Sequence, residues 1–151
     1  MIQRIQTIYL LFATIILVII LFLPIASMVD AQANSFSYLF YGVVDSSNTT
    51  VIIDYPLAII LVLMPFLNLI AIFLFKTRIL QMRICIFNIL LMLGSLAMIW
   101  FYSYEAENVL FVDTYFSYPV VFPLVAAILT FMAFRGIRKD EILVKSANRI
   151  R

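Results

Sequence analysis

Four long apolar stretches dominate the sequence, and each has the length that a helix needs to cross a lipid bilayer. They cover residues 8–29, 55–75, 84–104 and 115–134. Because an α-helix rises about 1.5 Å per residue, roughly 20 residues cross a hydrocarbon core of about 30 Å. A segment within lipid must satisfy its own backbone polar groups, which favours helices here. The pattern predicts four transmembrane helices.

The composition agrees with a lipid environment and narrows the chemistry. Of the 151 residues, 66% are hydrophobic and 12% are charged, whereas about 25% are charged in typical soluble domains. The chain has no histidine and a single cysteine, Cys85. It therefore has no intramolecular disulfide and lacks the commonest metal ligand and acid-base residue. We expect no cofactor, no metal site and no enzymatic activity.

The charged residues distinguish the two sides of the predicted membrane protein. All ten lysines and arginines lie before the first apolar stretch, between the second and third, or after the fourth. Residues 30–54 and 105–114 hold six of the eight acidic residues, and only Asp140 and Glu141 share the basic side. Basic residues favour the cytoplasmic side of short membrane connections. Both termini are therefore expected in the cytoplasm, and the two acidic loops outside.

The predicted fold class is an all-α membrane protein, an up-down four-helix transmembrane bundle forming a single domain over residues 1–151. Short connections favour antiparallel neighbours. In the loop 30–54, β-prone runs at 37–44 and 49–54 flank the turn-forming residues 45–48, so a small periplasmic β-hairpin is expected. Residues 109–112 are compatible with a third strand.

The first apolar stretch has a second interpretation, a cleavable signal peptide. Arg4, the apolar run and the small residues Ala31 and Ala33 resemble such a segment. The apolar core over residues 8–25 is longer than the 7–15 residues or so of a signal peptide. A transmembrane helix is therefore the favoured interpretation, and the remaining topology is the same in both.

Asn68 and Asn88 are the most polar side chains within the apolar stretches. By helix rise they lie at similar depths in two helices joined by a short link, so a hydrogen bond between them is expected. A polar permeation or substrate site is the alternative. Pro24, Pro65 and Pro123 lie within or near the ends of stretches and favour helix kinks, which also occur in transporters.

Aromatic residues gather near the outer ends of the stretches. Seven of the eight tyrosines and Trp100 lie there, as expected for the aromatic belt that fixes the depth of a membrane protein. The acidic residues of the outer loops are a weak candidate for a cation or catalytic site, because nothing in the sequence fixes their geometry.

The segment 135–151 is the most distinctive polar part of the chain. Leu143, Ala147 and Ile150 follow helical spacing, which predicts a cytoplasmic amphipathic C-terminal helix lying on the inner membrane surface. Contact with anionic lipid and docking of a cytoplasmic protein or ribosome-like partner both fit this charge. Nucleic acid is not expected otherwise. Six basic residues are the candidate contacts: Arg135, Arg138, Lys139, Lys145, Arg149 and Arg151.

Both ends of the chain resemble a known family. The opening MIQRIQTIYLL and the close FPLVAAILTFMAFRGIRKDEILVKSANRIR are similar to an uncharacterised family of small four-span inner-membrane proteins from Bacteroidota, known only as a domain of unknown function. The resemblance covers essentially the whole chain. It implies a bacterial inner membrane with the acidic loops in the periplasm, and it implies no activity and no functional residues.

These observations favour a non-enzymatic accessory or scaffold subunit of a larger inner-membrane assembly, such as the protein-export or envelope machinery. Its expected partners are membrane lipids and that assembly, and no small-molecule substrate is identified. The alternative is a small-molecule or lipid transporter, or a channel-like oligomer, which the two asparagines and the prolines would serve.

Overall fold

The computed structural model describes residues 2–30, 34–47, 49–75 and 77–148, with side chains described from residue 5 to residue 144 within those ranges. The described residues form four α-helices, five strands and one 3-10 helix, Tyr118–Val121, which leads directly into the last α-helix. The helices are α1 (Ile2–Ile19), α2 (Tyr55–Phe73), α3 (Arg78–Leu110) and α4 (Phe122–Asn148). The strands are β1 (Ala26–Asp30), β2 (Ser35–Leu39), β3 (Gly42–Asp45), β4 (Thr50–Ile53) and β5 (Val112–Phe116).

The fold is mixed, so the predicted all-α bundle with only a small hairpin is wrong. The five strands form one antiparallel sheet in the order β4-β3-β2-β1-β5. Residues 26–29, which were predicted to end the first transmembrane helix, lie in β1. Residues 115 and 116, which were predicted to begin the fourth, lie in β5. The sheet therefore includes residues from both predicted outer loops and from the helices beside them.

Pro24 explains why the first helix is shorter than predicted. Helix α1 ends at Ile19, and the chain turns through residues 20–24. Proline has no N–H and restricts the preceding residue to extended backbone, which stops a helix. Beyond it the side chains of Ala26 and Met28 are buried while Ser27 and Val29 are exposed. This alternation is the period of a strand.

The predicted strand over residues 37–44 is two strands with a turn at Phe40 and Tyr41. Gly42 begins β3 with a φ of 143°, and a Cβ there would collide with the backbone carbonyl of Ile52. Strand β4 matches the predicted run at 49–54. The predicted third strand at 109–112 is wrong in position, because α3 continues to Leu110 and β5 begins only at Val112. The helix ends at Phe111, which has a φ of 53°.

The sheet packs on the helices through one face. Ala26, Met28, Tyr38 and Val43 are fully buried in the same apolar core as residues of all four helices. The opposite face, which we call the outer face, exposes Ser27, Ser37 and Tyr115 in neighbouring register positions. The helices and the sheet thus share a core, and the outer face is open at these three positions, while Val44, which pairs with Ser37, is buried.

The predicted amphipathic tail helix is not a separate element. Helix α4 runs without a break from Phe122 to Asn148, so the segment 135–148 extends the helix and does not turn onto a membrane surface. A continuous helix forms because Arg135 and the residues after it include strong helix formers and no proline. Arg149 and Arg151 lie outside the described residues, as do Ala31 and Ala33 of the signal-peptide interpretation.

Three helical segments in the described part of the chain are long and apolar enough to cross a membrane. They are Tyr55–Phe73, Arg78–Leu110 and Tyr118–Val144, while the apolar helix over Ile5–Ile19 is shorter. The helices contact one another in the cyclic order α1-α2-α3-α4. Helix α3 has 33 residues, about 50 Å by helix rise, so it is longer than a hydrocarbon core is thick.

Candidate functional site

Tyr38 and Asp54 form a buried polar pair where the sheet meets the helices. The phenol of Tyr38, on β2, donates a 2.7 Å hydrogen bond to Oδ2 of Asp54, the residue before α2. The backbone N–H of Asp54 donates to the carbonyl of Tyr41 at 2.9 Å. Tyr38 is fully buried and Asp54 is 7% exposed. The pair therefore fastens the sheet to the start of a membrane-length helix.

The surroundings of Asp54 favour its protonated form. Burial raises the pKa of its carboxyl above the ordinary value, the nearby Glu105 carboxylate raises it further, and the bond from Tyr38 opposes both. Burial and the Asp54 carboxylate also raise the pKa of the Tyr38 phenol, so this phenol stays protonated and donates. The Asp54 carboxyl is therefore the group of this pair whose protonation responds to pH.

Asn68 and Asn88 lie together between α2 and α3, and both are fully buried. The amide nitrogen of Asn88 donates to Oδ1 of Asn68 at 2.9 Å and to the carbonyl of Met64 at 3.1 Å. Met64 precedes Pro65, which lies inside α2. The bond to the Met64 carbonyl fixes the orientation of the Asn88 amide, because a reversed amide would set two oxygens against each other.

Two atoms of this asparagine pair have no partner within the described residues. They are Nδ2 of Asn68 and Oδ1 of Asn88, a donor and an acceptor. A buried amide group without a partner costs free energy, so such atoms call for an explanation. The pair thus links the two helices through one direct bond and has one donor and one acceptor unused among the described residues.

A second polar cluster joins three helices at the end opposite to the sheet. Nε2 of Gln6, on α1, donates to Oδ2 of Asp140 at 2.8 Å, and both side chains are buried. Nη1 of Arg78, at the start of α3, donates to the Asp140 carbonyl at 3.4 Å. Asp140 is one of the two acidic residues on the basic side of the sequence, and its position connects α1, α3 and α4.

The structure describes the side chains of three of the six candidate tail contacts. The side chains of Arg135, Arg138 and Lys139 are exposed on α4. Lys145 lies in the helical backbone, but its side chain, Arg149 and Arg151 lie outside the described side chains. Among the outer carboxylates, Asp54 is buried and Glu105 is exposed. Among the described residues, no three His, Cys, Asp or Glu residues are arranged to hold a metal ion.

A comparison of the sequence with known families identifies the chain. The profile of a domain of unknown function, DUF4293, matches residues 2–150. The chain belongs to the DUF4293 family. No curated protein and no solved structure matches this DUF4293 chain significantly. The family resemblance expected from the two ends of the sequence is thereby confirmed at the level of a domain of unknown function.

The Tyr38–Asp54 and Gln6–Asp140 contacts of this DUF4293 chain were not predicted from its sequence. Asp54 is one of the acidic residues of the predicted outer loops, and its position directly before a long apolar helix is a signal of partial burial. Asp140 carried a similar signal, since it is an acidic residue within a basic segment. An acidic side chain is rarely buried unless it is paired.

Proposed function

We propose that this chain is a non-enzymatic accessory or scaffold subunit of a larger bacterial inner-membrane assembly, such as the protein-export or envelope machinery. The observation that carries this proposal is the sheet, whose inner face is fixed on the helices and whose outer face is open. A rigidly mounted sheet can present a fixed surface to a partner. Its end strands, β4 and β5, each have one neighbouring strand among the described residues.

The apolar surface of the helices supports a place in the membrane. Phe66 and Phe73 of α2 are 59% and 75% exposed, and Phe87 and Leu90 of α3 are 53% and 63% exposed. A protein in water rarely exposes such a continuous apolar surface, and lipid removes its cost. The segregation of charge supports an orientation with the basic end, including both termini, in the cytoplasm and the sheet in the periplasm.

Thiol labelling of intact cells tests this orientation. Cys85 is fully buried, and its replacement by alanine gives a chain without cysteine. A single cysteine is then introduced in place of Ser37 on the sheet or of Arg138 on α4. A membrane-impermeant reagent should label the Ser37→Cys variant in intact cells and the Arg138→Cys variant only after lysis. Equal labelling of both variants in intact cells would contradict the orientation.

Co-purification in mild detergent, followed by mass spectrometry, tests the scaffold function. The first variant, Ser27→Gln with Ser37→Gln, places two larger side chains on the outer face of the sheet. The second variant removes five positive charges by replacing these residues with glutamine: Arg138, Lys139, Lys145, Arg149 and Arg151. The wild-type chain should retain a stoichiometric partner that the sheet variant loses. Loss in the tail variant alone would place docking at the basic end, and no stoichiometric partner in any sample would refute the proposal.

The asparagine pair supports a transporter or channel-like oligomer as the second candidate. Its two unpartnered amide atoms offer a donor and an acceptor within the apolar part of the fold. Replacement of both Asn68 and Asn88 by leucine removes that polar site. A solute or lipid flux that the wild-type chain supports in vesicles, and that the double variant loses while it remains folded, would favour transport over the scaffold function.

A further inference from the structure

A groove of about 520 Å³ lies between the start of α3 and the end part of α4. It is at the basic end of the molecule, away from the sheet, and it is separate from the asparagine pair. Both charged and apolar side chains form its walls. The groove is lined by Thr77, Arg78, Ile79, Leu80, Arg83, Glu141 and Val144.

We propose that this groove binds the headgroup of an anionic phospholipid, with its phosphodiester on Arg78 and Arg83. Guanidinium groups bind phosphate oxygens through paired, charge-assisted hydrogen bonds. Arg78 is held in place by its 3.4 Å bond to the Asp140 carbonyl, and Arg83 is exposed. The inference rests on the membrane placement given under the proposed function.

The first turn of α3 adds to the attraction for an anion. Arg78 is the first residue of this 33-residue helix, and the side chain of Thr77 before it does not cap the helix. The N-terminus of a helix carries a partial positive charge and backbone N–H groups without an intrahelical acceptor. This contribution accompanies the two arginines, and the arginines supply most of the charge.

The apolar walls distinguish a lipid from a free anion. Ile79, Leu80 and Val144 are 51%, 47% and 45% exposed beside the arginines. A soluble phosphate would gain nothing from them, whereas the glycerol backbone and upper acyl chains of a phospholipid would cover them. Because the groove lies at the end of membrane-length helices, it is at the depth where lipid headgroups are found.

The charge of the groove fits an anionic lipid with a phosphodiester. Arg78 and Arg83 line the groove together with one acidic residue, Glu141. Two positive groups and one negative group leave one formal positive charge, which matches the single negative charge of phosphatidylglycerol. A zwitterionic phosphatidylcholine, of zero net charge, should bind less tightly. Removal of the Glu141 charge should strengthen binding of the anionic lipid.

Native mass spectrometry of the full chain in mild detergent tests the inference, with phosphatidylglycerol and phosphatidylcholine of identical acyl chains as probes. The wild-type chain should retain the anionic lipid in preference. Arg83→Gln should lower its retention by about fivefold, the effect of one basic residue near an anionic headgroup, and Glu141→Gln should raise it. The comparison variant Arg135→Gln removes the same charge from a candidate tail contact, an exposed position of α4 outside the groove. If the groove is the main lipid site, this variant should lower retention by less than about twofold.

Three results would overturn the inference. Equal losses in the Arg83→Gln and Arg135→Gln variants would indicate general attraction to the basic end, and no lipid preference would exclude the site. Displacement of the lipid by millimolar inorganic phosphate would indicate a site for the free anion. These outcomes leave the scaffold proposal intact, whereas recovery of the chain outside the membrane fraction would remove the basis of both.

Discussion

The phenol of Tyr38 donates a 2.7 Å hydrogen bond to the carboxylate of Asp54, and both groups are buried. Tyr38 belongs to the second strand of the sheet, and Asp54 directly precedes a membrane-length helix. The bond therefore joins the two parts of the fold that the sequence led us to treat as separate, a transmembrane part and an outer loop. The open face of the sheet is held in a fixed relation to the helices because of this junction.

Protonation of Asp54 should stabilise the fold. Its folded-state pKa is raised by burial and by Glu105, so the stability that this carboxyl contributes is present below its ordinary pKa of about 3.9. That contribution is lost as the pH rises through the raised folded value. Thermal unfolding in detergent between pH 4.5 and pH 8 should show a stability gain toward acid that the Asp54→Asn variant lacks. Identical pH profiles for the two proteins would contradict the assignment.

Removal of the Tyr38 hydroxyl should destabilise the junction between sheet and helices. The Tyr38→Phe variant leaves the buried Asp54 carboxylate without this donor, and a hydrogen bond to a charged group contributes about 1.5–3 kcal/mol. In the Asp54→Asn background the acceptor is neutral, so the same change should cost about 0.5–1.5 kcal/mol. Denaturant unfolding of the four proteins measures the coupling, and equal costs in both backgrounds would exclude a charge-assisted bond.

Asn68 and Asn88 should be energetically coupled. Asn88→Leu removes two donated hydrogen bonds and leaves Oδ1 of Asn68 buried without a donor, which should cost about 1–3 kcal/mol. The variant with both residues changed to leucine should recover part of that loss, because no unpaired amide remains. A double-mutant cycle should give about 0.6–2 kcal/mol of coupling. Additive losses would show that the bond contributes nothing.

Two glycines should respond in opposite ways to replacement by alanine. Gly42→Ala should prevent formation of the sheet, because its φ of 143° disfavours any side chain and the new Cβ would collide with the Ile52 carbonyl. Gly94→Ala adds a Cβ with nothing within 4 Å of it and should stabilise α3 by about 0.5–1 kcal/mol. Circular dichroism and thermal unfolding measure both. A destabilised Gly94→Ala variant would indicate that another chain packs against this position.

The apolar pattern predicted where α2, α3 and α4 lie, but it predicted only one of their ends correctly. Helix α2 begins at Tyr55 as predicted, because Asp54 and Pro56 mark its start. Helix α3 continues past the predicted end at residue 104, because Glu105 and Glu107 end the apolar stretch and glutamate is a good helix former. Charge marks where a membrane ends, and it does not mark where a helix ends.

The size of the sheet was underestimated because β1 and the end of β5 lie in apolar stretches that were predicted to be transmembrane helices. In β1 the alternation of Ala26, Ser27 and Met28 follows a long helical stretch, and the contribution of Pro24 as a helix stop was assigned to a kink. The register of five strands depends on pairing between segments that are distant in sequence, such as Val29 with Asp113. A single sequence contains no direct signal for such pairing.

The same distinction applies to the polar contacts. The bond between Asn68 and Asn88 could be anticipated, because a short link sets two helices side by side at known depths. The bond between Gln6 and Asp140 joins residues 134 positions apart, and it depends on how α1 packs against α4. Local spacing predicts contacts within a hairpin, whereas contacts between distant helices depend on packing that the sequence pattern leaves open.

In-cell photo-crosslinking from the outer face of the sheet tests the scaffold function most directly. A photoreactive phenylalanine replaces Tyr115, which is 62% exposed on that face, and in a matched control it replaces Phe66, which is 59% exposed on α2. We predict a discrete protein adduct from position 115, of the same identity as the co-purified partner, and none of that identity from position 66. The absence of any protein adduct from position 115, in a variant that is folded and in the membrane, would contradict a role of the sheet in docking.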